Sequence, residues 1–333
     1  MTEGTTVITG ISGFIARNLA TSLLNAGGSV VGIGRTPPDG LFSPGFRFLP
    51  CDVRDADAVH EALAEVRPET VYHLAAQSVL TAGGDAGARG VLETNVAGTW
   101  NVLESARRLE IPAVVLASSD KQYGATAPPP YDDEDTTGFV NGGLYELSKA
   151  QADQAARLYA GLYDTPAVRV ARLVNIYGPG DRNFSRIVPG TIRRALNGER
   201  PRLTAGPAGE SLREYLFVDD ATRALRALAT DAHTQGNAPF RTLGGKLARV
   251  GVNIASPHRW TAAGVIETVR TTLRDAFGID SPEPDVLPGP IGVFEPGHQY
   301  NRPERIAALL PDWSPRSLPD GLRETIPWYL TGR

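Results

Sequence analysis

The stretch Thr5-Thr-Val-Ile-Thr-Gly10-Ile-Ser-Gly13-Phe-Ile-Ala16 decides the fold, because it passes from strand to helix through a glycine turn. Residues 5–9 are mostly β-branched and predict a buried strand. Residues 17–24 place leucines on one side and predict a helix. This order is the context of a dinucleotide phosphate-binding turn, because a helix N-terminus offers free N–H groups to an anion. Taken alone, the segment fits a glycine turn without a ligand equally well.

The spacing of the turn departs from the usual dinucleotide fingerprint, since two residues separate Gly10 from Gly13. Gly10 permits a tight turn, and Gly13 lets the backbone approach a pyrophosphate. Ala16 is small enough for the helix to pack closely on the strand.

The end of the next predicted strand bears on the choice of cofactor. This strand, Ser29–Ile33, runs into Gly34-Arg35, and no acid follows until Asp39. An acid here binds the ribose 2′-hydroxyl of NAD, whereas a cation suits the 2′-phosphate of NADP. Arg35 therefore favours NADP, with NAD as the alternative. Arg35 could also be a solvated loop residue.

Tyr145 and Lys149 are four residues apart in the run Gly143-Leu-Tyr-Glu-Leu-Ser-Lys149. On a helix these positions share a face, so the lysine cation can favour the phenolate. A tyrosine without such help has a pKa of about 10, too high for a general base at neutral pH. The pair therefore predicts a tyrosine base whose pKa the lysine lowers, although surface helices also carry this spacing by chance.

Composition excludes several classes of function. A chain of 333 residues can bury a large core, and its net charge of −4 without a basic run argues against nucleic acid as a partner. Cys51 is the only cysteine, so an intrachain disulfide is excluded, and the five histidines show no metal-ligand spacing. No apolar stretch approaches membrane-spanning length, and the first residues lack a signal peptide's basic region. We expect a cytoplasmic protein without a metal.

Strand-like and helix-like segments alternate up to about residue 174. This alternation predicts an α/β fold of Rossmann type, a doubly wound parallel sheet whose strand ends bind ligands. The predicted strands are Thr5–Thr9, Ser29–Ile33, Phe46–Leu49, Thr70–Leu74, Ala113–Ser118 and Ala167–Leu173. The predicted helices are Phe14–Ala26, Ala56–Val66, Gly90–Leu109 and Leu144–Tyr163. Beyond residue 180, frequent Pro and Gly indicate a smaller, mixed α/β substrate lobe.

A set of ordered motifs resembles the extended short-chain dehydrogenases/reductases, in the NAD-dependent epimerase/dehydratase group that acts on nucleotide sugars. The resemblance covers almost the whole chain. Its motifs are Thr9-Gly10-x-x-Gly13-Phe-Ile, Asp52-Val53, His73-Leu-Ala-Ala-Gln77, Asn95-Val-x-Gly98-Thr, Ser118-Ser-Asp-Lys-x-Tyr123-Gly124, Tyr145-x-x-x-Lys149, Asn175-x-Tyr-Gly-Pro-Gly180, Arg213-Glu-Tyr-Leu-Phe-Val-Asp-Asp220 and Leu322…Trp328-Tyr329.

The resemblance implies two interleaved lobes. Residues 1–174 and about 217–255 would form the dinucleotide-binding Rossmann domain. Residues 175–216 and about 256–333 would bind a nucleotide-diphosphate hexose. Within residues 236–254 the chain departs from the family pattern, which indicates an extra hairpin or a substrate-specific insertion. The resemblance also implies a homodimer, joined through the helices predicted at Gly90–Leu109 and Leu144–Tyr163.

The same resemblance assigns binding residues. The cofactor residues are Gly10, Ser12, Gly13, Phe14, Ile15, Arg35, Asp52, Val53, Leu74, Ala75, Ala76, Gln77, Asn95, Tyr145 and Lys149. The substrate residues are Gln77, Ser78, Asn175, Arg182, Val188 and Arg213. Arginines recognise phosphates through charge-assisted hydrogen bonds, which leave the nucleotide base undetermined. His73 follows Val71-Tyr72 at the end of a predicted strand, and we expect it to be structural.

The catalytic assignment also follows from the resemblance. Ser119 would hydrogen-bond the sugar hydroxyl that is oxidised, Tyr145 would remove its proton, and Lys149 would support the tyrosine. The pair Asp120-Lys121 is similar to that of CDP-glucose 4,6-dehydratases, where an acid and a base divide the elimination of water. Asp120 would be the acid and a neutral Lys121 the base, unless the pair is an ordinary strand-end aspartate with a surface lysine.

The resulting prediction is a nucleotide-sugar 4,6-dehydratase. A nucleotide-sugar 4-epimerase or 4-ketoreductase would share the redox residues and stays an alternative. A non-catalytic NADP-binding regulator is the alternative from another class of protein, although retention of Tyr145 and Lys149 argues against it.

Overall fold

Strands and helices alternate along the first half of the chain, close to the predicted positions. The computed structural model describes residues 4–40, 43–77, 87–124, 129–133, 143–204, 207–240, 250–288 and 297–332. Within them the strands are β1 (Thr5–Thr9), β2 (Ser29–Gly34), β3 (Phe46–Pro50), β4 (Thr70–His73), β5 (Ala113–Ser119), β6 (Ala167–Leu173), β7 (Asn175–Tyr177), β8 (Arg202–Thr204), β9 (Arg213–Phe217), β10 (Gly251–Ile254), β11 (Arg259–Trp260) and β12 (Asp285–Leu287). The helices are α1 (Phe14–Asn25), α2 (Ala56–Val66), α3 (Ala88–Leu92), α4 (Gly98–Arg108), α5 (Leu144–Leu162), α6 (Ile187–Leu196), α7 (Pro207–Glu210), α8 (Val218–Gln235), α9 (Ala262–Phe277), α10 (Glu304–Leu309) and α11 (Leu318–Leu330).

Seven parallel strands form the larger sheet, in the order β10-β6-β5-β4-β1-β2-β3. The chain builds outward from β1 to β3 and then crosses to β4 on the other side of β1. Strand order therefore reverses between β1 and β4, which is where an open parallel sheet forms a ligand-binding crevice. This arrangement confirms the predicted Rossmann-type doubly wound sheet.

Both faces of this sheet are buried over most of its strands, which explains why those strands are largely apolar, whereas edge strand β3 is only partly buried. In β1, Val7 packs into the core with α2, α4 and α5, whereas Ile8 packs into the core with α1 and α8. Each residue of β5 and β6 is buried. Neighbouring positions on one strand thus support opposite layers of helices.

A three-stranded sheet, β11-β9-β7, forms the centre of the smaller lobe. Its strands share a core with α6, α9 and α11, in which Tyr177, Phe217 and Val265 are buried. A separate pair of parallel strands, β8 and β12, lies in the same half of the chain. Among the described residues, no helix is both long enough and apolar enough to cross a bilayer.

The chain crosses repeatedly between the two sheets. After β9 in the small sheet, α8 packs against α1, β5 and β6, and β10 adds to the edge of the large sheet beside β6. Helix α10 also lies against β10 and α8, and its Ile306 belongs to the large sheet's core. The predicted lobe boundaries remain a prediction, but the two sheets are clearly built from interleaved parts of the chain.

The predicted helix Gly90–Leu109 is interrupted. Residues Glu93–Ala97 form a wider π turn between α3 and α4. Such a turn changes the direction of a helical side chain, and here Asn95 is buried. The interruption depends on contacts with distant residues and has no signal in the helical periodicity.

The segment 236–254 is partly described. Residues 241–249 lie outside the described ranges, whereas Gly251–Ile254 forms β10, parallel to β6. The described end of the segment therefore extends the large sheet, and whether the segment is an extra hairpin or a substrate-specific insertion stays a prediction.

Candidate active site

The turn between β1 and α1 is shaped to receive an anion. Gly10 has a φ of +69°, and a Cβ there would lie 2.7 Å from the Cα of Ala75, so glycine is required. Gly13 N donates to Gly10 O over 2.8 Å, and no side chain caps the start of α1. N–H groups of the first helical turn are thus available to a pyrophosphate, so the turn fits the predicted dinucleotide.

A cavity of about 460 Å³ begins at this turn and extends over the ends of β4 and β5 towards the small sheet. It brings together most of the residues that the sequence singled out. The predicted residues in its lining are Gly10, Gly13, Phe14, Ile15, Leu74, Ala76, Ser119, Asp120, Lys121, Tyr145, Lys149, Asn175 and Val188.

Tyr145 and Lys149 lie on α5 and both contact this cavity. Lys149 is buried, and its Nζ donates to the backbone oxygen of Ala117 over 2.9 Å. The same nitrogen is 6.0 Å from the centroid of the Tyr145 ring. The helical spacing therefore places the cation beside the phenol, as predicted.

The prediction that Lys149 lowers the pKa of Tyr145 is wrong in this structure. Burial raises the pKa of Tyr145 to about 12, the charge of Asp120 adds to the rise, and a hydrogen bond with Ser119 opposes it. Burial also lowers the pKa of Lys149 to about 8, so the lysine is held only weakly as a cation. Desolvation of both groups outweighs their attraction, and loss of the negative charge on Asp120 would favour the phenolate.

Asp120 starts a short 3₁₀ turn, Asp120–Tyr123, immediately after β5. Its side chain is buried, and its Oδ1 accepts a hydrogen bond from Ser119 Oγ over 3.1 Å. Burial raises the pKa of this carboxyl, while the charges of Lys121 and Arg213 oppose the rise. A carboxyl with a raised pKa keeps its proton to higher pH and can serve as a general acid.

Lys121 follows on the same turn and also contacts the cavity. Its Nζ donates to Oε1 of Gln299, a buried side chain 178 residues further along the chain. Nε2 of Gln299 donates to the backbone oxygen of Asp120 over 3.1 Å. Gln299 thus contacts both members of the Asp120-Lys121 pair.

Glu214 fastens this part of the C-terminal chain to β9. Its Oε2 accepts from the backbone and side-chain nitrogens of Asn301, over 2.9 and 2.7 Å, and its Oε1 accepts from Ser256 N over 3.1 Å. Burial raises the pKa of Glu214 to about 8, the hydrogen bonds from Asn301 oppose the rise, and Asp120 adds to it. The carboxyl is close enough to the site to share its electrostatics.

Asn95 and Gln77 brace the site from the other side. Asn95 Oδ1 accepts from Gln77 N over 2.8 Å, and Asn95 Nδ2 donates to Ser148 Oγ over 2.9 Å. Ser148 Oγ in turn donates to the backbone oxygen of Tyr145 over 2.7 Å. The loop after β4 is thereby tied to the start of α5.

Three other predicted cofactor residues are less closely grouped. Arg35 is exposed directly after β2, and its charge lowers the pKa of Asp52 after the larger effect of hydrogen bonds from Arg54. Arg54 Nη2 donates to Asp52 Oδ2 over 2.7 Å. Val53 packs against Gly98, where a Cβ would be only 2.8 Å from its side chain. Arg35, Asp52 and Val53 do not line the cavity.

The predicted substrate arginines also lie outside its lining. Arg182 forms an ion pair with Asp39 at 3.2 Å, beside a second cavity of about 480 Å³ that Ser12 also lines. Arg213 donates to the backbone oxygens of Leu212 and Gly297, over 3.1 and 2.5 Å. The predicted residue Ser78 lies outside the described residues.

His73 joins β1 to α4 and agrees with the structural interpretation. Its Nδ1 lies 2.8 Å from Thr9 Oγ1, and its Nε2 lies 3.1 Å from Thr99 Oγ1. Burial lowers its pKa to about 3. Across the residues the structure describes, no three His, Cys, Asp or Glu side chains are grouped to hold a metal ion.

Three residues of the site were missed in the sequence. Arg186 lines the cavity and lowers the pKa of Tyr145, although burial of the tyrosine dominates. Its segment, Arg186-Ile-Val-Pro189, contains the predicted substrate residue Val188 and could have indicated it. Glu214 lies in the motif that begins at Arg213, which could have indicated it. Gln299 had no such signal, because only tertiary structure brings it to Asp120.

Residues 6–239 match the family described as NAD dependent epimerase/dehydratase. The chain belongs to this family. Its curated relatives include a dTDP-glucose 4,6-dehydratase of Neisseria gonorrhoeae, 28% identical, in a match that covers 98% of this chain and 96% of the relative. A UDP-glucose 4-epimerase of Mycolicibacterium smegmatis is 29% identical, with 97% and 98% covered.

Solved structures agree on the fold. A dTDP-glucose 4,6-dehydratase of Bacillus anthracis in complex with NAD has a TM-score of 0.78 and 22% identity. The match covers 98% of this chain and 96% of that chain. Family membership and the fold support an NAD-dependent enzyme of nucleotide-sugar dehydratase or epimerase type.

Proposed function

We propose that the protein is a nucleotide-sugar 4,6-dehydratase. The observation that carries this proposal is the position of Asp120 and Lys121, adjacent at the end of β5, in one cavity with Ser119 and Tyr145. Oxidation and elimination groups thus surround one space. The similarity to the gonococcal dTDP-glucose 4,6-dehydratase supports the same reaction type.

The bound dinucleotide supplies a reversible hydride acceptor. Gly10, Gly13 and the start of α1 would hold its pyrophosphate, and Lys149 would lie near its ribose. The family description and the NAD bound by the Bacillus relative favour NAD. NADP, which Arg35 favours in the sequence, is the alternative, and an arginine variant can decide between them.

Tyr145 would take the proton of the sugar's C4 hydroxyl as that carbon is oxidised to a ketone. Ser119 would hold the same oxygen by a hydrogen bond. The tyrosine's raised pKa means that a free phenolate is scarce at neutral pH. We therefore infer that Tyr145 first gives up its own proton to solvent and then takes the C4 hydroxyl proton, and that a protonated Asp120 makes this first loss easier by removing a negative charge beside the phenol.

The C4 ketone makes the C5 hydrogen acidic, so elimination can follow. Lys121, as a neutral amine, would take the C5 proton while the C5–C6 double bond forms. Asp120 would give its proton to the C6 hydroxyl, which leaves as water. Return of hydride to C6 and of a proton to C5 completes a 4-keto-6-deoxy sugar, with no net oxidation.

The substrate would be a nucleotide-diphosphate hexose, as the relatives' names indicate for those proteins. Arg186, Asn175 and Val188 line the cavity beyond the catalytic groups and would contact it. Arg213 and Arg182 would have to reorient to reach a diphosphate, since their guanidinium groups now bind Gly297 O and Asp39. A homodimer and a cytoplasmic location remain predictions.

Epimerisation at C4 is the second candidate, favoured by the similarity to the mycobacterial UDP-glucose 4-epimerase. It would use Ser119, Tyr145 and Lys149 but would leave Asp120 and Lys121 without a chemical task. A regulator that binds the dinucleotide without turnover is the third, and the intact redox residues argue against it.

Isotope labelling distinguishes these reactions. We expect incubation with a panel of nucleotide hexoses in deuterated water to give a 4-keto-6-deoxy product labelled at C5, with the substrate's C4 hydrogen at C6. An epimer of unchanged mass without solvent label would indicate epimerisation. Absence of turnover for every sugar, with tight dinucleotide binding, would indicate a regulator.

Replacing the proposed elimination pair tests its role directly. Asp120→Asn and Lys121→Met should slow product formation by about 10²–10⁴-fold. Dinucleotide affinity should be unchanged, because neither side chain is assigned to the cofactor. Unchanged turnover in the double variant would contradict the dehydratase assignment.

A further inference from the structure

Lys121 is held by a side chain from a distant segment, and the nature of that side chain matters. Gln299 is buried, and its backbone N donates to Leu212 O over 2.9 Å, just before β9. Two residues later, Asn301 binds the Glu214 carboxylate. Gln299 is therefore fixed on both sides before its side chain reaches Lys121.

Both ends of the Gln299 carboxamide are used, which fixes its orientation. A backbone carbonyl oxygen only accepts, so the nitrogen of the amide must face Asp120 O, 3.1 Å away. The oxygen of the amide then faces Lys121 Nζ, which donates to it. One side chain thus connects the backbone of the proposed acid with the amine of the proposed base.

An uncharged acceptor has a specific consequence for an amine. Its oxygen accepts one N–H of Lys121 whether or not the amine is protonated, and in the neutral amine this bond restricts where the lone pair can point. A carboxylate in the same place would attract the ammonium form and hold its proton. A general base in this position must be oriented by a group that carries no negative charge.

We propose that Gln299 is a positioning residue, which orients the Lys121 amine in the cavity through a neutral hydrogen bond and leaves the amine able to lose its proton. This inference rests on the proposed dehydratase function, in which Lys121 is the base. Gln299 itself contacts neither substrate nor cofactor. In this role, Gln299 allows Lys121 to act as the base of the elimination although the carboxyl of Asp120 is its neighbour.

The composition of the chain makes this proposal directly measurable. The sequence contains only three lysines, at positions 121, 149 and 246. Selective labelling of the lysine ε-carbons with ¹³C should therefore give three resonances, which Lys→Met variants assign. The titration of Lys121 can then be followed by NMR in the intact protein, without any assay of turnover.

The test compares Gln299→Glu, which adds a negative charge, with Gln299→Met, which removes the hydrogen bonds at similar size. The other charged or titratable groups near the site are common to all variants: Asp120, Tyr145, Lys149, Arg186, Arg213 and Glu214. The control is Gln235→Glu, the same chemical change at an exposed position at the end of α8.

We expect Gln299→Glu to move the Lys121 titration, and the rising limb of kcat against pH, upward by about one to three pH units. Gln299→Met should lower kcat about tenfold or more with little change in KM or dinucleotide affinity, since it loosens the proposed elimination pair and leaves the cofactor site unchanged. Gln235→Glu should change neither quantity.

An unshifted Lys121 titration in a folded Gln299→Glu protein would overturn the proposal, as would a Gln299→Met protein with wild-type kcat. If the wild type makes no 4-keto-6-deoxy sugar from any nucleotide hexose, the proposed function fails instead. The NMR titration still decides in that case whether Gln299 controls the protonation of Lys121.

Discussion

Lys149 Nζ lies 6.0 Å from the centre of the Tyr145 ring, and its hydrogen bond goes to Ala117 O on β5. The cation is thus anchored to the sheet, next to the phenol. Because burial raises the pKa of Tyr145 to about 12, the phenol keeps its proton at neutral pH. The first two predictions concern the roles of Tyr145 and Lys149 in this arrangement.

Tyr145→Phe should abolish most turnover, because it removes the proposed base of the redox step. General acid–base catalysis contributes about 10²–10⁴-fold, and the loss in kcat should fall in this range. The variant should fold normally, since only one hydroxyl is deleted, and thermal unfolding provides the control. Near-native activity would rule out Tyr145 as the base.

Lys149→Met should stabilise the fold while abolishing activity. The pKa of Lys149 is about 8 in the folded protein against 10.5 for an unperturbed lysine. The unfolded chain therefore binds more protons between these values, so wild-type stability rises as pH rises through this window. The buried ammonium lowers the free energy of unfolding, and this cost is fully present below pH 8. At about 1.4 kcal/mol per pKa unit, the cost is on the order of 3 kcal/mol.

Denaturant unfolding of the wild type and the Lys149→Met protein, at intervals from pH 7 to 10, measures this difference. The variant's advantage should shrink towards pH 10. Arg274→Met, which removes an exposed cation, is the control and should show no such trend. An advantage that is constant with pH would mean that the ammonium is not destabilised in the fold.

Arg35→Asp should weaken NADP binding more than NAD binding. The change removes a cation that could pair with a 2′-phosphate and adds a repulsive charge there. Titration of both dinucleotides by calorimetry measures the two affinities. Equal losses for both, or a wild type that already prefers NAD, would make Arg35 a solvated loop residue.

Trp100→Glu combined with Leu158→Glu should convert a dimer into a monomer. Trp100 on α4 and Leu158 and Leu162 on α5 are more than half exposed, and these two helices pack side by side. Large exposed apolar side chains on adjacent helices favour a two-fold interface. Light scattering at micromolar concentration measures the mass.

Leu330→Glu on α11 is the control for that experiment, since Leu330 is an exposed leucine at 46% on another surface. It should leave the mass unchanged. A wild type that is already monomeric at this concentration would contradict the predicted homodimer.

The large sheet could be predicted because its signal is local. Most of its strands are largely apolar and buried, edge strand β3 being only partly so, and Asp55 caps the start of α2, because its side chain accepts from Asp57 N and Ala58 N. The π turn at Glu93–Ala97 could not be predicted. Asn95 enters the interior there and binds Gln77 and Ser148. The helical periodicity of the sequence contains no signal for those partners.

The residues of the candidate active site also fall into those that could be predicted from the sequence and those that could not. Gly10, Ser119 and Tyr145 belong to short motifs, so their residue types and spacing indicate a role. Gln299, which contacts both Asp120 and Lys121, does not belong to such a motif, because only the fold brings it to them. The raised pKa of Tyr145 could not be predicted from the sequence either. Burial and the charge of Asp120 raise this pKa, and both depend on packing.

The contact between Gln299 and Lys121 also has a consequence for the order in which the protein becomes competent during synthesis. The phosphate-binding turn and the Tyr145 helix leave the ribosome early, long before the partner of Lys121, which is 178 residues behind it. A nascent chain can therefore assemble its proposed oxidation groups before its proposed elimination base is held in place. Only the finished chain would then carry a sugar through both steps.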